Sequence, residues 1–350
     1  MRSFVYPITS RQTVRRHVAA VFCAIGLSLS PQAGAQQGTQ AGAQAGAQAG
    51  AQDSAHYRFV TLGTQGGPLP TPERSQPANL LVKQGRAYLI DVGDGAAGKL
   101  IESGAALPWL RGIFISHIHF DHIGGLFAIL GLRHQMNMHA PFTIYGPPGT
   151  KALVESLLAA MEPSARSGFG VPGEQYVAPG TNIQIVELRD GATQKVDDFT
   201  VRVAANSHYS FPPGSPLAQS FQSLSFRFDL PDRSIVYTGD TGPSESVEKL
   251  ASGADLFVTE IIDFPHVIGR MRAMIGNIPQ AVLDQSKIHL EKHHLTPTQI
   301  GEMAGRAKVG GVVVTHFAGG GDPKAKLLYL EQIRRGYGGP VILSEDLYSF

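Results

Sequence analysis

The chain has 350 residues, 43% of them hydrophobic, and a formal net charge of +1. That is enough apolar material for a substantial core and too little basic excess to mark a polyanion as the main partner. Its single cysteine, Cys23, lies in the N-terminal segment, so disulfides and cysteine metal ligands are excluded from the remainder.

In chain order the first expected element is a leader. Arg11, Arg15 and Arg16 precede an apolar stretch from Val18 to Leu29, and Pro31 and Ala33-Gly34-Ala35 follow. A charged region, a short apolar core and a small-residue cleavage site predict a signal peptide over residues 1–35, directing the chain to the periplasm or outside the cell. The apolar core is too short for a membrane span, and Phe22 before Cys23 fits a lipoprotein processing site poorly, so no membrane anchor is expected. Removing Arg2, Arg11, Arg15 and Arg16 with no acid leaves a charge of about −3. Residues 36–55 repeat AGAQ without large apolar side chains and read as a disordered spacer. Residues 56–350 form the expected folded domain. There, strand-like runs alternate with helix-like stretches such as Thr150 to Met161 and Thr296 to Lys308, a pattern that gives α/β.

Within that domain Gly112-Ile113-Phe114-Ile115 runs into Ser116-His117-Ile118-His119-Phe120-Asp121-His122, three imidazoles and a carboxylate within six positions. Neutral imidazole nitrogen and carboxylate oxygen are donors that divalent zinc accepts, with manganese and iron accommodated to differing degrees. Further donors close later β-like runs: His208 after Val201-Arg202-Val203, Asp240 in Thr238-Gly239-Asp240-Thr241 after Ser234-Ile235-Val236-Tyr237, and His316 after Val312-Val313-Val314. A lone histidine at a strand end is more often structural than a ligand, but this series predicts strand ends converging on one metal site. Met136 and Met138, with His134 and His139, read first as local packing and second as a substrate mouth. The stretch Phe264 to Lys292 contains His266, Arg270, Met271, Arg272, Met274 and His289. It reads either as a helical lid, with Arg270 or Arg272 holding an anionic group, or as a solvated helix face.

The series HxHxDH, His208, Asp240 in a TGD turn and His316 resembles the metallo-β-lactamase superfamily over nearly the whole domain. Val60-Thr61-Leu62-Gly63-Thr64-Gln65-Gly66-Gly67-Pro68 with Arg74, Tyr145-Gly146-Pro147-Pro148-Gly149, Ala254 to Glu260, and His294-Leu295-Thr296 are similar to its ribonuclease Z and arylsulfatase-like branch. The resemblance implies a four-layer αββα sandwich binding two divalent ions, zinc foremost with manganese or iron as alternatives. It implies one ion on His117, His119 and His208, a second on Asp121, His122 and His316, and Asp240 bridging them. It also implies a Glu260–His294 pair that assists proton transfer. Thr259 and Ile261-Ile262 around the acid depart from that branch's HEAT motif. Glu260 is therefore either the partner of His294 or a carboxylate orienting a metal ligand.

The expected reaction is hydrolysis of a small phosphodiester or sulfate ester by a hydroxide shared between two ions. Asp121 would orient the nucleophile and His294 would protonate the leaving oxygen. A lactonase or β-lactamase type of acyl hydrolysis is the runner-up, and Asp240 speaks against the β-lactamase. Ribonuclease activity is a further alternative. Nucleic acid is not expected as a partner, because there is no dense basic run and no Gly/Pro- and Lys-rich arm like the one by which ribonuclease Z grips transfer RNA. The non-enzymatic reading is a binding protein that retains metal without turnover. A homodimer is left open.

Overall fold

Successive residues of the central strands face two different interiors, and this alternation sets the layering. The computed structural model describes residues 56–350; the expected signal peptide and AGAQ spacer lie outside the described residues. The N-terminal half supplies β1 (Arg58–Gly63), β2 (Ala78–Lys83), β3 (Arg86–Val92), α1 (Ala96–Glu102), β4 (Leu110–Phe114), α2 (Phe120–Ile123), α3 (Leu126–Gln135), β5 (Phe142–Gly146), α4 (Thr150–Ser167) and β6 (Ile183–Glu187). Next come β7 (Thr193–Val196), β8 (Phe199–Ala205), α5 (Pro216–Ser220), β9 (Leu224–Asp229), β10 (Ser234–Tyr237), α6 (Glu245–Ala251) and β11 (Leu256–Ile262). The chain continues through α7 (Phe264–Ile275), α8 (Gln280–His293), α9 (Pro297–Ala307), β12 (Val312–Ala318), α10 (Pro323–Arg334), β13 (Val341–Leu343) and β14 (Tyr348–Ser349).

These strands form two seven-stranded sheets, in the orders β14-β1-β2-β3-β4-β5-β6 and β13-β12-β11-β10-β9-β8-β7. Leu81, Ile90 and Phe114 of the first sheet pack with Phe226, Phe228, Ile235 and Val313 of the second. Their immediate neighbours Leu80, Leu89 and Ile113 face the other way, onto Leu100 of α1, Leu126 and Ile129 of α3 and Val154 of α4. In the second sheet Val236, Val312 and Val314 turn outward onto Val247 of α6, Ile300 and Met303 of α9 and Ile333 of α10. Side chains alternate across a strand, so a strand apolar on both faces must be covered on both faces. The result is the expected four-layer αββα sandwich. Phe114 stacks on Tyr145 with centroids 4.6 Å apart and meets Phe228 edge-on at 5.3 Å, filling the space between the sheets.

Local signals set the helix boundaries. Thr296 and Gln299 form a reciprocal capping box ahead of Pro297, which fixes the start of α9. The helix expected from Thr150 to Met161 runs on through Pro163 to Ser167. The stretch expected as a lid is two helices, α7 and α8, with Asp263 capping the first. Met138 packs against the first-sheet core while Met136 is exposed, so this pair does not line the donor site. Among the described residues no helix is long and apolar enough to cross a membrane.

β3, β4 and β5 are mutually parallel, as are β10, β11 and β12. β8 runs antiparallel to β9, which is antiparallel to β10, so β8 shares the direction of β10. The C-terminal ends of these strands therefore open along one edge of the sandwich, and the donor residues follow them.

Candidate metal centre

The loop after β4 carries His117 and His119, and α2, which begins at Phe120, carries Asp121 and His122. His208 follows β8, Asp240 follows β10, Glu260 lies within β11 and His316 within β12. Gly239 makes the turn before Asp240 with φ +58, and a Cβ there would come within 2.9 Å of the Ser116 side chain. Glycine is therefore needed for both conformation and approach. His316 reaches the edge through a bulge. Thr259 pairs with Val314 and Ile261 with Phe317, so Glu260 alone faces Thr315 and His316. His316 takes the left-handed conformation, φ +40, as an extra residue at a bulge can.

The seven expected donors gather into two sets. His117, His119 and His208 offer ligand atoms within 4.8 Å of one another, and so do Asp121, His122, Asp240 and His316. Asp240 stands between the sets, with Oδ2 3.2 Å from His316 Nε2 and 3.9 Å from His117 Nε2, and Oδ1 3.4 Å from His122 Nε2. The protons of three imidazoles are held on the far side of each ring. His208 Nδ1 donates to the His293 carbonyl at 3.1 Å, and His122 Nδ1 donates to Asp91 Oδ2 at 2.8 Å. Ser116 Oγ gives its own proton to Asp91 and so accepts from His117 Nδ1 at 3.1 Å. Each ring thereby keeps its Nε2 lone pair for the site. His117 Nε2, His122 Nε2 and Asp240 Oδ1 are buried without a hydrogen-bond partner. Unpaired buried acceptors are costly, and imidazole and carboxylate suit a divalent cation, so this cluster is able to bind metal ions.

The electrostatics differ between the sets. Burial, reinforced by neighbouring imidazoles such as His122, holds His117 well below the usual imidazole range. Burial acts the same way on His122, but Asp240, Asp121 and Asp91 outweigh it and raise that ring. Burial alone would raise Asp240, yet His316, His122 and His117 hold it well below the ordinary carboxylate range.

Beside the donors, His294 Nδ1 donates to Glu260 Oε2 at 2.6 Å, and Glu260 Oε1 accepts from the Thr241 backbone N–H at 2.6 Å. Glu260 thus contacts both His294 and the turn that carries Asp240. Burial pulls the His294 pKa down, but the Glu260 carboxylate overcomes it and the group is pushed up to about 9.

Asp91 is absent from the residues singled out in the sequence. It is fully buried at the end of β3 and accepts from Ser116 N and Oγ, His122 Nδ1 and Tyr237 OH at 2.6–2.8 Å. It too is a bulge residue, skipped between the pairs Ala78–Val92 and Asn79–Ile90, with φ +56. The signal was there: Tyr88-Leu89-Ile90 ends in an acid before Gly93, obeying the same strand-end rule.

Over the donors lies a cavity of about 430 Å³ floored by His119, Asp121, Asp240, His294 and His316, with Pro68, Leu69, Ile262, Val267, Met271 and Leu290 as apolar walls. α7 and α8 supply one wall, and Arg270 lines it whereas Arg272 does not. Phe120 stands at the rim, 85% exposed.

Residues 86–317 match the model of the β-lactamase superfamily domain. A ribonuclease Z of Mycobacterium bovis (strain BCG / Pasteur 1173P2) is 27% identical over 292 residues, covering 83% of this chain and 96% of that protein. Among solved structures, the metallo-β-lactamase fold protein YhfI of Bacillus subtilis superposes with a TM-score of 0.60 at 17% identity, covering 84% of this chain and 98% of that one. Human tRNase Z, short form, does so with 0.56 at 22% identity, covering 84% and 98%. The expected small phosphodiester or sulfate ester substrate and the expected absence of nucleic acid are corrected here, because a near full-length relative is a ribonuclease. Whole-chain charge is a poor guide to such a substrate for a physical reason. A count of Lys and Arg omits cations carried by the site, which are often the largest local charges where a phosphate binds.

Proposed function

This chain belongs to the β-lactamase superfamily and is a metal-dependent hydrolase, and from that premise we propose that it is a ribonuclease that hydrolyses phosphodiester bonds in structured RNA. The observation that carries the reading is the buried Glu260–His294 pair beside the donor sets, in a chain that aligns over nearly the whole length of a ribonuclease Z.

His117, His119 and His208 would hold one divalent ion and Asp121, His122 and His316 a second, zinc foremost, with Asp240 touching both. When bound, such ions lower the pKa of water and neutralise charge developing on phosphoryl oxygens. Asp121 lies 3.6 Å from His316 Nε2 and 3.7 Å from His122 Nε2, where its carboxylate accepts a hydrogen bond from an attacking water and aims it at phosphorus. His294, also at the cavity floor, holds a proton and delivers it to the departing ribose oxygen, while Glu260 steadies the imidazolium before transfer. The apolar walls exclude bulk water and strengthen these charge interactions.

The test is direct. Purified protein loaded with zinc or manganese is incubated with a transfer RNA precursor at low salt and the products are sized on a denaturing gel. Chelator-sensitive cleavage at a defined position is expected. Intact RNA under conditions where the protein has its full metal complement would overturn the reading.

A further inference from the structure

The sequence singled out His289 only as part of a lid segment, and neither the donor sets nor the Glu260–His294 pair uses it. His289 lies on α8 and lines the cavity. Its ring centroid is 5.0 Å from that of His208 and 5.2 Å from that of His294. One of its nitrogens lies within 4.8 Å of nitrogens of both, which at first sight makes it another metal ligand.

The proton positions argue otherwise. His289 Nδ1 is 2.9 Å from His293 Nδ1, a contact that requires one proton between two nitrogens. His293 Nε2 is buried with no hydrogen-bond partner. A proton there would be a buried N–H with nothing to accept it, and orphaned donors are rarer than under-satisfied acceptors. His293 therefore carries its proton on Nδ1 and donates it to His289 Nδ1. His289 is left with Nε2–H, a donor with no lone pair to offer a metal.

We propose that His289 contacts the substrate directly, donating its Nε2–H to a non-bridging oxygen of the scissile phosphate, and that α8 serves to present it. This rests on the phosphodiester chemistry proposed above. His293 fixes the tautomer, and its carbonyl also fixes that of His208, so one residue of α8 orients both a cavity donor and a metal-facing ring.

Three measurements on the full-length, metal-loaded protein test this. Long-range proton–nitrogen NMR with labelled histidine should show His289 as the Nε2–H tautomer, the signal being identified by its loss in His289→Gln. His289→Ala should reduce kcat/KM roughly 10- to 100-fold, the loss expected of one hydrogen bond to an anion. Metal content measured by mass spectrometry should be unchanged. His289→Gln, which keeps an N–H at similar reach, should recover most of the rate. An Nδ1–H tautomer, metal loss in His289→Ala, an unchanged kcat/KM, or equal losses in the Ala and Gln variants would each overturn the proposal. Rates are taken on RNA and on bis(p-nitrophenyl) phosphate. Cleavage of the chromogenic diester alone would sink the RNA reading while leaving the His289 comparison intact, and the tautomer assignment needs no substrate.

Discussion

Replacing Asp91 by Asn changes no volume and tests how the metal side of the site is held. Oδ2 accepts from Ser116 Oγ, His122 Nδ1 and Tyr237 OH, and Oδ1 accepts from the Ser116 backbone N–H. An amide can supply only one oxygen. In its better orientation it keeps the three-donor position and turns its NH2 against the Ser116 N–H, donor against donor. One buried hydrogen bond is then lost, at about 1–3 kcal/mol, and three others lose their charge assistance, about half of 1.5–3 kcal/mol each, so the total comes to about 3–7 kcal/mol. The same change loosens the His122 ring, for which a 10- to 100-fold loss of metal affinity is the usual scale. Urea unfolding of the metal-free protein reads the first effect, and competition with a chromogenic chelator reads the second. A stability change under about 1 kcal/mol together with unaltered metal affinity would show that Asp91 is not what aligns His122.

Other variants separate the remaining roles. His294→Ala should retain metal and lose turnover chiefly on substrates with poor leaving groups; equal losses on good and poor leaving groups would remove it as the general acid. Glu260 raises His294 to about 9 in the folded chain. The stability this confers is fully present below the ordinary imidazole range near 6.5 and is lost as pH rises through about 9. Between those limits the metal-free protein should lose unfolding free energy with rising pH, Glu260→Gln should flatten that slope, and identical slopes would refute the coupling. Asp240→Ala should lower metal stoichiometry, because its carboxylate lies within 4 Å of members of both donor sets; full occupancy in that variant would remove it as a ligand shared between the sets. Chelation should lower the melting temperature of the wild-type protein, since at 100 times Kd a bound ion contributes about 2.7 kcal/mol, and an unchanged melting curve would place the ions outside the fold.

The candidate donors that the structure brings together were legible in the sequence because ligand chemistry admits few residue types and the β4 loop packs four of them into six positions. His208, Asp240 and His316 were legible because each follows an apolar run. The layering was harder to read. Leu80-Leu81 or Leu89-Ile90 shows only that both faces are apolar, and what covers each face is decided by distant segments. Asp91 escaped because a lone acid after a strand is ordinary until its four donors, drawn from segment 116–122 and from Tyr237, are seen around it. The arrangement of α7 and α8 is likewise tertiary: His266, Arg270, Arg272 and His289 look alike in a linear reading, and only the packing decides which of them line the cavity. Substrate class was misjudged because whole-chain charge says little about the local field at a cation site.

The bulges at Asp91 and His316 bear on how separable this site is from the fold that carries it. Asp91 in one sheet and His316 in the other are each a single supernumerary residue, surrounded by strands whose pairing resumes on either side. Removing one residue at either place would let the ladder run unbroken, while withdrawing a side chain that belongs to the candidate donor cluster, His316, or that holds one of its rings, Asp91. The added residues also occupy backbone conformations that cost energy outside glycine, so such a deletion relieves strain as it abolishes chemistry. A one-residue deletion at either bulge therefore separates the integrity of the layers from that of the site.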